Sequence, residues 1–191
     1  MVCMGMIRTF IALELRNEEV IDKLDEAARA VAAIPGKIKA VERENLHVTL
    51  KFLGDIEETT ATEIARFLHD KVTPKIFPGG PTTIELMGVG TFGLKIIFAN
   101  IGVGVELVSD AFREVEDGLA NFFNIPREPK AFHAHITLAR VKMVPGTSRG
   151  KLKSFLSSYE NVTFGESLVD SVVLKKSQLT PRGPIYSNVE F

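Results

Sequence analysis

FHAHITLARVK (residues 132–142) and ENLHVTLKFLGD (residues 44–55) share a four-residue core, His-apolar-Thr-Leu, written HITL in one and HVTL in the other. Both cores sit in β-rich runs that alternate polar and apolar positions. Alternation puts His47, Thr49 and Lys51 on one face of a strand, with Val48, Leu50 and Phe52 on the other. In the second segment His133, His135 and Thr137 oppose Ile136 and Leu138. Each strand therefore has an apolar face to bury and a histidine–threonine face to present. A chain with four histidines that spends two of them this way predicts two related halves, each contributing one histidine strand.

The flanking sequence supports that layout. IRTFIALE (7–14) reads as an inner strand, followed by a helix with Val20, Leu24, Ala27 or Ala28, and Val31 on one face, Asn17 as its cap and PG at 35–36 as its end. A short strand near 37–41 leads to the first histidine strand at 47–53. Ala61, Ile64, Ala65, Leu68 and Val72 form the stripe of a second helix, and 74–81 reads as a loop. Strands are expected at 82–90 and 93–100, with a turn near Gly90. A third helix then carries Val105, Val108, Phe112, Val115 and Leu119. The second histidine strand falls at 132–141, followed by a short helix at 150–157. Residues 168–179 and 185–191 close the chain as a hairpin around TPRG.

At 191 residues the chain is expected to be one domain that buries roughly 70% of its unfolded surface without a metal or disulfide staple. Its lone cysteine, Cys3, forms no internal disulfide, which fits a reducing compartment and points to the cytoplasm. No apolar run reaches the roughly 20 residues that span a bilayer. The opening MVCMGMIRTFIALEL lacks a basic leader, so the domain is taken as 6–191, with residues 1–5 a flexible extension. A net charge of −1 argues against coating long nucleic acid, but not against gripping one phosphate or an RNA end.

Two imidazoles facing one reacting atom allow a neutral ring to take a proton while a protonated ring gives one. Threonine hydroxyls beside them can hold phosphoryl oxygens. Carboxylates do not gather around either strand, and this chemistry requires no metal. A zinc site built from His47, His133 and His135 is the rival reading. A lone HxT strand is otherwise structural, and His133 and His69 read as rim and surface residues. Lys51 has the parity to reach a phosphate, whereas Arg140 needs a twist or bulge to do so. Phe10 is a candidate for stacking on a base, against an ordinary core role.

HVTLKFLG, HITLAR and the opening IRTFIALEL resemble the two-histidine phosphoesterase superfamily, most closely the bacterial and archaeal RNA 2′,3′-cyclic phosphodiesterases also called 2′-5′ RNA ligases. The resemblance implies an α+β bilobal fold, with two antiparallel sheets lining a central cleft and helices outside. It implies hydrolysis of a terminal 2′,3′-cyclic phosphate to a 2′-phosphate, without metal or other cofactor. His47 would be the proton donor and His135 the proton acceptor, with Thr49 and Thr137 on the phosphate. Lys51 and Arg140 are further phosphate candidates. RNA ends are the implied partners, tRNA halves among them if 2′-5′ joining occurs, and the protein is expected to be a monomer away from membranes. No GxxxxGK[ST] loop or lysine-centred nucleotide-transfer motif is present, so ATP is not expected. A metal-dependent phosphoesterase, a small cyclic-nucleotide phosphodiesterase and a non-catalytic RNA-end-binding module are the competing classes.

Overall fold

Residues 5–181 and 183–191 are described by a computed structural model, so most of the expected N-terminal extension and Arg182 of the expected TPRG turn lie outside the described residues. The first half of the chain runs β1 (Met6–Glu14), α1 (Glu18–Ala32), β2 (Lys37–Ala40), β3 (His47–Glu57), α2 (Glu58–Phe67), α3 (Thr73–Ile76) and β4 (Thr82–Phe92). The second runs β5 (Ile96–Ile101), α4 (Val105–Phe123), β6 (His135–Met143), α5 (Arg149–Tyr159), β7 (Thr163–Val169), β8 (Val172–Thr180) and β9 (Gly183–Asn188).

The strands pair antiparallel in the order β7-β4-β5-β6-β3-β1-β8-β9, with β2 also on β6. The two sheets expected from the sequence meet between β3 and β6, where one pair, Val48 with Ile136, completes a nine-stranded sheet. Below that pair the edge of β6 is taken by β2, from Ala40 opposite Ala139 to Lys37 opposite Met143. Away from it β3 and β6 part, and their separation opens a cleft on one face of the sheet. The α+β class is as expected.

The helices cover the other face. Asn17 caps α1 by accepting the Glu19 N–H at 3.0 Å, and Glu18 and Glu19 face the positive end of the helix dipole. α1 lies against β2, β6 and β7, α2 against β1, β3 and β8, α4 against β3, and α5 against β4. Ile11, Leu13, Val48 and Ile136 from the strands pack there with Leu24, Ile64 and Leu119 from the helices, all fully buried. No helix among the described residues is long and apolar enough to cross a membrane.

Several boundaries differ from the sequence reading. The β4–β5 turn spans 93–95, and Gly90 lies inside β4 opposite Phe98. A Cβ on Gly90 would sit 2.7 Å from the Phe98 ring, so glycine there makes room for an aromatic rather than a turn. The second helix is interrupted: α2 gives way to a π-helical turn at Leu68–Val72, and the helical path then continues through α3 into the expected loop. Pro74 supplies a reason, because its ring would strike the carbonyl four residues back in a regular α-helix. The stretch 168–179 is split, with Leu168 and Val169 ending β7 and β8 beginning at Val172. The second histidine strand begins at His135, which leaves His133 in the loop before it.

Candidate active site

The antiparallel pair of Val48 with Ile136 joins the two motif strands. His47 and Thr49 flank Val48 on β3, and His135 and Thr137 flank Ile136 on β6. Val48 and Ile136 point into the helix-side core, so all four motif side chains point the other way. They line a single cleft of about 500 Å³.

The two strands then break their alternation at the same place. Thr49 pairs with Ala12 and Lys51 with Ile11, which leaves Leu50 without a partner on β1. Thr137 pairs with Phe98 and Ala139 with Ile97, which leaves Leu138 without a partner on β5. A bulge of this kind moves every later side chain to the opposite face. Leu50, Lys51, Leu138 and Ala139 are accordingly buried, while Phe52 and Arg140 emerge on the cleft side.

These bulges decide the secondary candidates. Lys51 is buried, its ammonium taken by the Glu116 carboxylate and, at 3.0 Å, by the Pro126 carbonyl, so its charge is already matched. Arg140 is exposed in the cleft wall, its parity corrected by the bulge at Leu138. Phe10 is 3% exposed and stacks on the His47 ring, with centroids 4.9 Å apart and an interplanar angle of 25°. It holds the histidine and offers no face to a base. Phe52, which the sequence reading placed in the core, is 68% exposed beside the cleft. Superimposing HVTLKF on HITLAR would have put it level with Arg140.

Both imidazoles are anchored two residues upstream. The His135 Nδ1–H donates to the His133 carbonyl at 2.6 Å. A carbonyl can only accept, so Nδ1 carries the hydrogen and a neutral ring presents the Nε2 lone pair. His47 hydrogen-bonds the backbone of Asn45, and its Nε2 meets the Thr49 hydroxyl at 3.0 Å. Edge contacts fix the rings further: Tyr186 lies 5.5 Å from His47, and Phe92 and Phe98 each lie 5.1 Å from His135.

Burial pushes the His47 imidazole from its usual 6.5 to about 4, and the Lys175 ammonium pushes the same way; the Asn45 backbone and Glu14 oppose them. Lys175 is itself held by Glu14 Oε1 at 2.5 Å and Asn188 Oδ1 at 2.8 Å. His135 is also lowered, chiefly by burial, with the His133 carbonyl opposing and the charges of His133 and Arg140 contributing. Both rings are therefore held toward the neutral form at pH 7. A phosphodiester anion between them reverses the balance, since a negative charge in contact favours the protonated ring.

Of the remaining histidines, His133 lines the cleft beside His135 and His69 lies away from it. The His133 ring packs near Phe92 and Phe98, with its centroid 6.0 Å from that of His135. His69 is exposed and lies 5.1 Å from the Phe191 ring. Among the described residues no group of three or more His, Cys, Asp or Glu side chains converges to hold a metal ion, so the three-histidine ligand set is not formed here.

The sequence matches the LigT like phosphoesterase family over residues 13–95 and 103–186. It is 33% identical to the RNA 2′,3′-cyclic phosphodiesterase of Methanocaldococcus jannaschii, over 96% of this chain and 99% of that protein. It is 34% identical to the Thermotoga maritima protein of the same name, over 94% and 91%. Among solved structures, TT0787 of Thermus thermophilus superimposes with a TM-score of 0.70 at 30% identity, over 96% of both chains. E. coli LigT in complex with 3′-AMP superimposes at 0.68 with 19% identity, over 96% of this chain and 95% of that one, a likeness of fold.

Proposed function

The chain belongs to the LigT like phosphoesterase family, and on that premise we propose that it is an RNA 2′,3′-cyclic phosphodiesterase working by two-histidine acid–base catalysis. The observation that supports the mechanism is that His47, Thr49, His135 and Thr137 flank the Val48–Ile136 pair and line one cleft. The cyclic phosphate lies between the imidazoles, its non-bridging oxygens toward Thr49 and Thr137 and the Arg140 charge nearby. His135 Nε2 takes a proton from water as the water oxygen attacks phosphorus. The bond from phosphorus to the 3′ oxygen breaks, and His47 gives its proton to that oxygen. A 2′-phosphate and a 3′-hydroxyl result, and proton exchange with solvent resets both rings.

The proton on His47 is the demanding part of this scheme, because burial and the Lys175 charge hold that ring at about 4. The substrate supplies the remedy. Its phosphodiester charge binds beside His47 and draws a proton onto it, so the acid is made in the complex rather than stored in the free protein. Phe52 lies where the base of the terminal nucleotide can stack. An RNA 5′-hydroxyl in place of water would give 2′-5′ joining by the same route, with tRNA halves as candidate substrates. The reading extends to a cytoplasmic monomer acting on RNA ends.

Turnover of a short RNA ending in a 2′,3′-cyclic phosphate, measured in EDTA, tests the proposal. Hydrolysis that persists in chelator and is lost in His47→Ala and His135→Ala supports it. Binding of that end without turnover would make the protein an RNA-end-binding module.

A further inference from the structure

The loop from Asn124 to Ala134 joins α4 to β6, has no regular secondary structure, and forms one wall of the cleft through Glu128, Lys130, Ala131, Phe132 and His133. Such a stretch is mobile unless its backbone groups find partners. Two of them are held by one buried ion pair. Lys51, 7% exposed, gives its ammonium to the Glu116 carboxylate and to the Pro126 carbonyl. Glu116, 4% exposed, accepts the Glu128 N–H with its other oxygen at 2.6 Å. One turn away on the same face of α4, Phe112 stacks on Phe132 with centroids 4.2 Å apart and planes 5° from parallel. The next residue, His133, presents the carbonyl that holds His135 Nδ1.

We propose that the Lys51–Glu116 pair is a positioning device for catalysis: from the strand of the first motif it fixes the loop that orients the histidine of the second. The line of contact runs from β3 through α4 to the loop and its His133 carbonyl. It joins the two halves of the site through contacts made within the protein itself. A purely stabilising pair would behave differently. A buried ion pair is often replaceable by apolar groups at little cost in stability, whereas removal of one partner strands a charge. The proposal rests on the two-histidine reading of the site, and its test uses a signal that does not depend on turnover.

The test is the double variant Lys51→Met/Glu116→Gln, which removes both charges at similar volume and leaves an oxygen to accept the Glu128 N–H. The ¹⁵N shifts of the His135 ring report which nitrogen carries hydrogen. The wild-type ring is expected as the Nδ1–H form, and the folded double variant as a mixture of both neutral forms. Its kcat is expected to fall about tenfold or more, with KM changed less, at a thermal midpoint near that of the wild type. Should the double variant fail to fold, Glu116→Asp, which keeps both charges but draws the carboxylate back from the Glu128 N–H, takes the same readouts, with a smaller change of the same sign expected. An unchanged His135 ring in a folded variant overturns the proposal. If the ring changes while cyclic-phosphate RNA is not a substrate, the positioning stands and the assigned activity fails.

Discussion

Leu50 and Leu138 occupy the same place in two matching bulges, each following a motif threonine and each skipped in the register of its strand with the next. That shared irregularity converts a regular alternation into a site. It turns Phe52 and Arg140 into the cleft and sends Lys51 to the α4 carboxylate of Glu116.

Burial separates two phenylalanines, Phe52 exposed beside the cleft and Phe10 buried against His47. Phe52→Ala should raise KM for RNA on the order of tenfold, the scale of losing one aromatic partner for a base, with stability nearly unchanged because the ring is 68% exposed. Phe10→Ala should instead cost about 3–5 kcal/mol of stability, as for other buried aromatics, and release the His47 ring. Urea unfolding and steady-state kinetics on both variants check the contrast. A stable Phe10→Ala with raised KM would restore Phe10 as the base-stacking residue.

His47→Ala and His135→Ala should each lower kcat on the order of 10²- to 10⁴-fold, the usual effect of removing a positioned acid or base. His69→Ala should leave kcat nearly unchanged, since that ring lies on the exposed surface against Phe191. Equal, mild losses at all three would mean that neither motif histidine transfers a proton in the reaction.

The rate should depend on pH in opposite senses through the two rings, His135 acting neutral and His47 protonated. The alkaline limb of kcat/KM follows the free protein, where His47 titrates near 4. In the complex the phosphate charge raises His47, so the alkaline limb of kcat should lie at higher pH than that of kcat/KM. The limbs belong to the coupled pair rather than to one ring. Coincident alkaline limbs would remove the substrate from the making of the acid.

Stability should fall in mild acid. The folded protein holds His47 at about 4 against 6.5 when unfolded, so between those values the unfolded chain binds more protons. The contribution is fully present above pH 6.5 and is lost as pH falls toward 4, worth roughly 3 kcal/mol at 1.36 kcal/mol per pH unit. Unfolding of His47→Asn should lose less stability than wild type between about pH 7.5 and about pH 4.5. An equal loss in both would place the acid sensitivity elsewhere.

The motif residues were legible because a period of two is a strong signal, and it put His47, Thr49, His135 and Thr137 on common faces before any coordinates. The single Val48–Ile136 pair that brings the faces together was not, since strand order between distant segments leaves no local mark. Bulges were equally hidden: Leu50 and Leu138 look like ordinary inward residues, and the sequence offered no reason to change parity after them. Lys51 therefore read as free to meet a phosphate, whereas its ammonium lies on Glu116 at the cleft wall, and the bulge that Arg140 needed to reach the cleft is present at Leu138. The β4–β5 turn misled for a related reason, because Gly90 is spaced for the Phe98 ring and not for a chain reversal.

The central claim is that His47 delivers its proton to the 3′ oxygen, and the position of the product phosphate tests it most directly. A short RNA ending in a 2′,3′-cyclic phosphate, incubated with the protein in EDTA and followed by ³¹P NMR, should be converted to the 2′-phosphate, with no such conversion by His47→Ala on the same timescale. A product carrying mainly a 3′-phosphate would contradict the assignment, because the proton would then have gone to the 2′ oxygen.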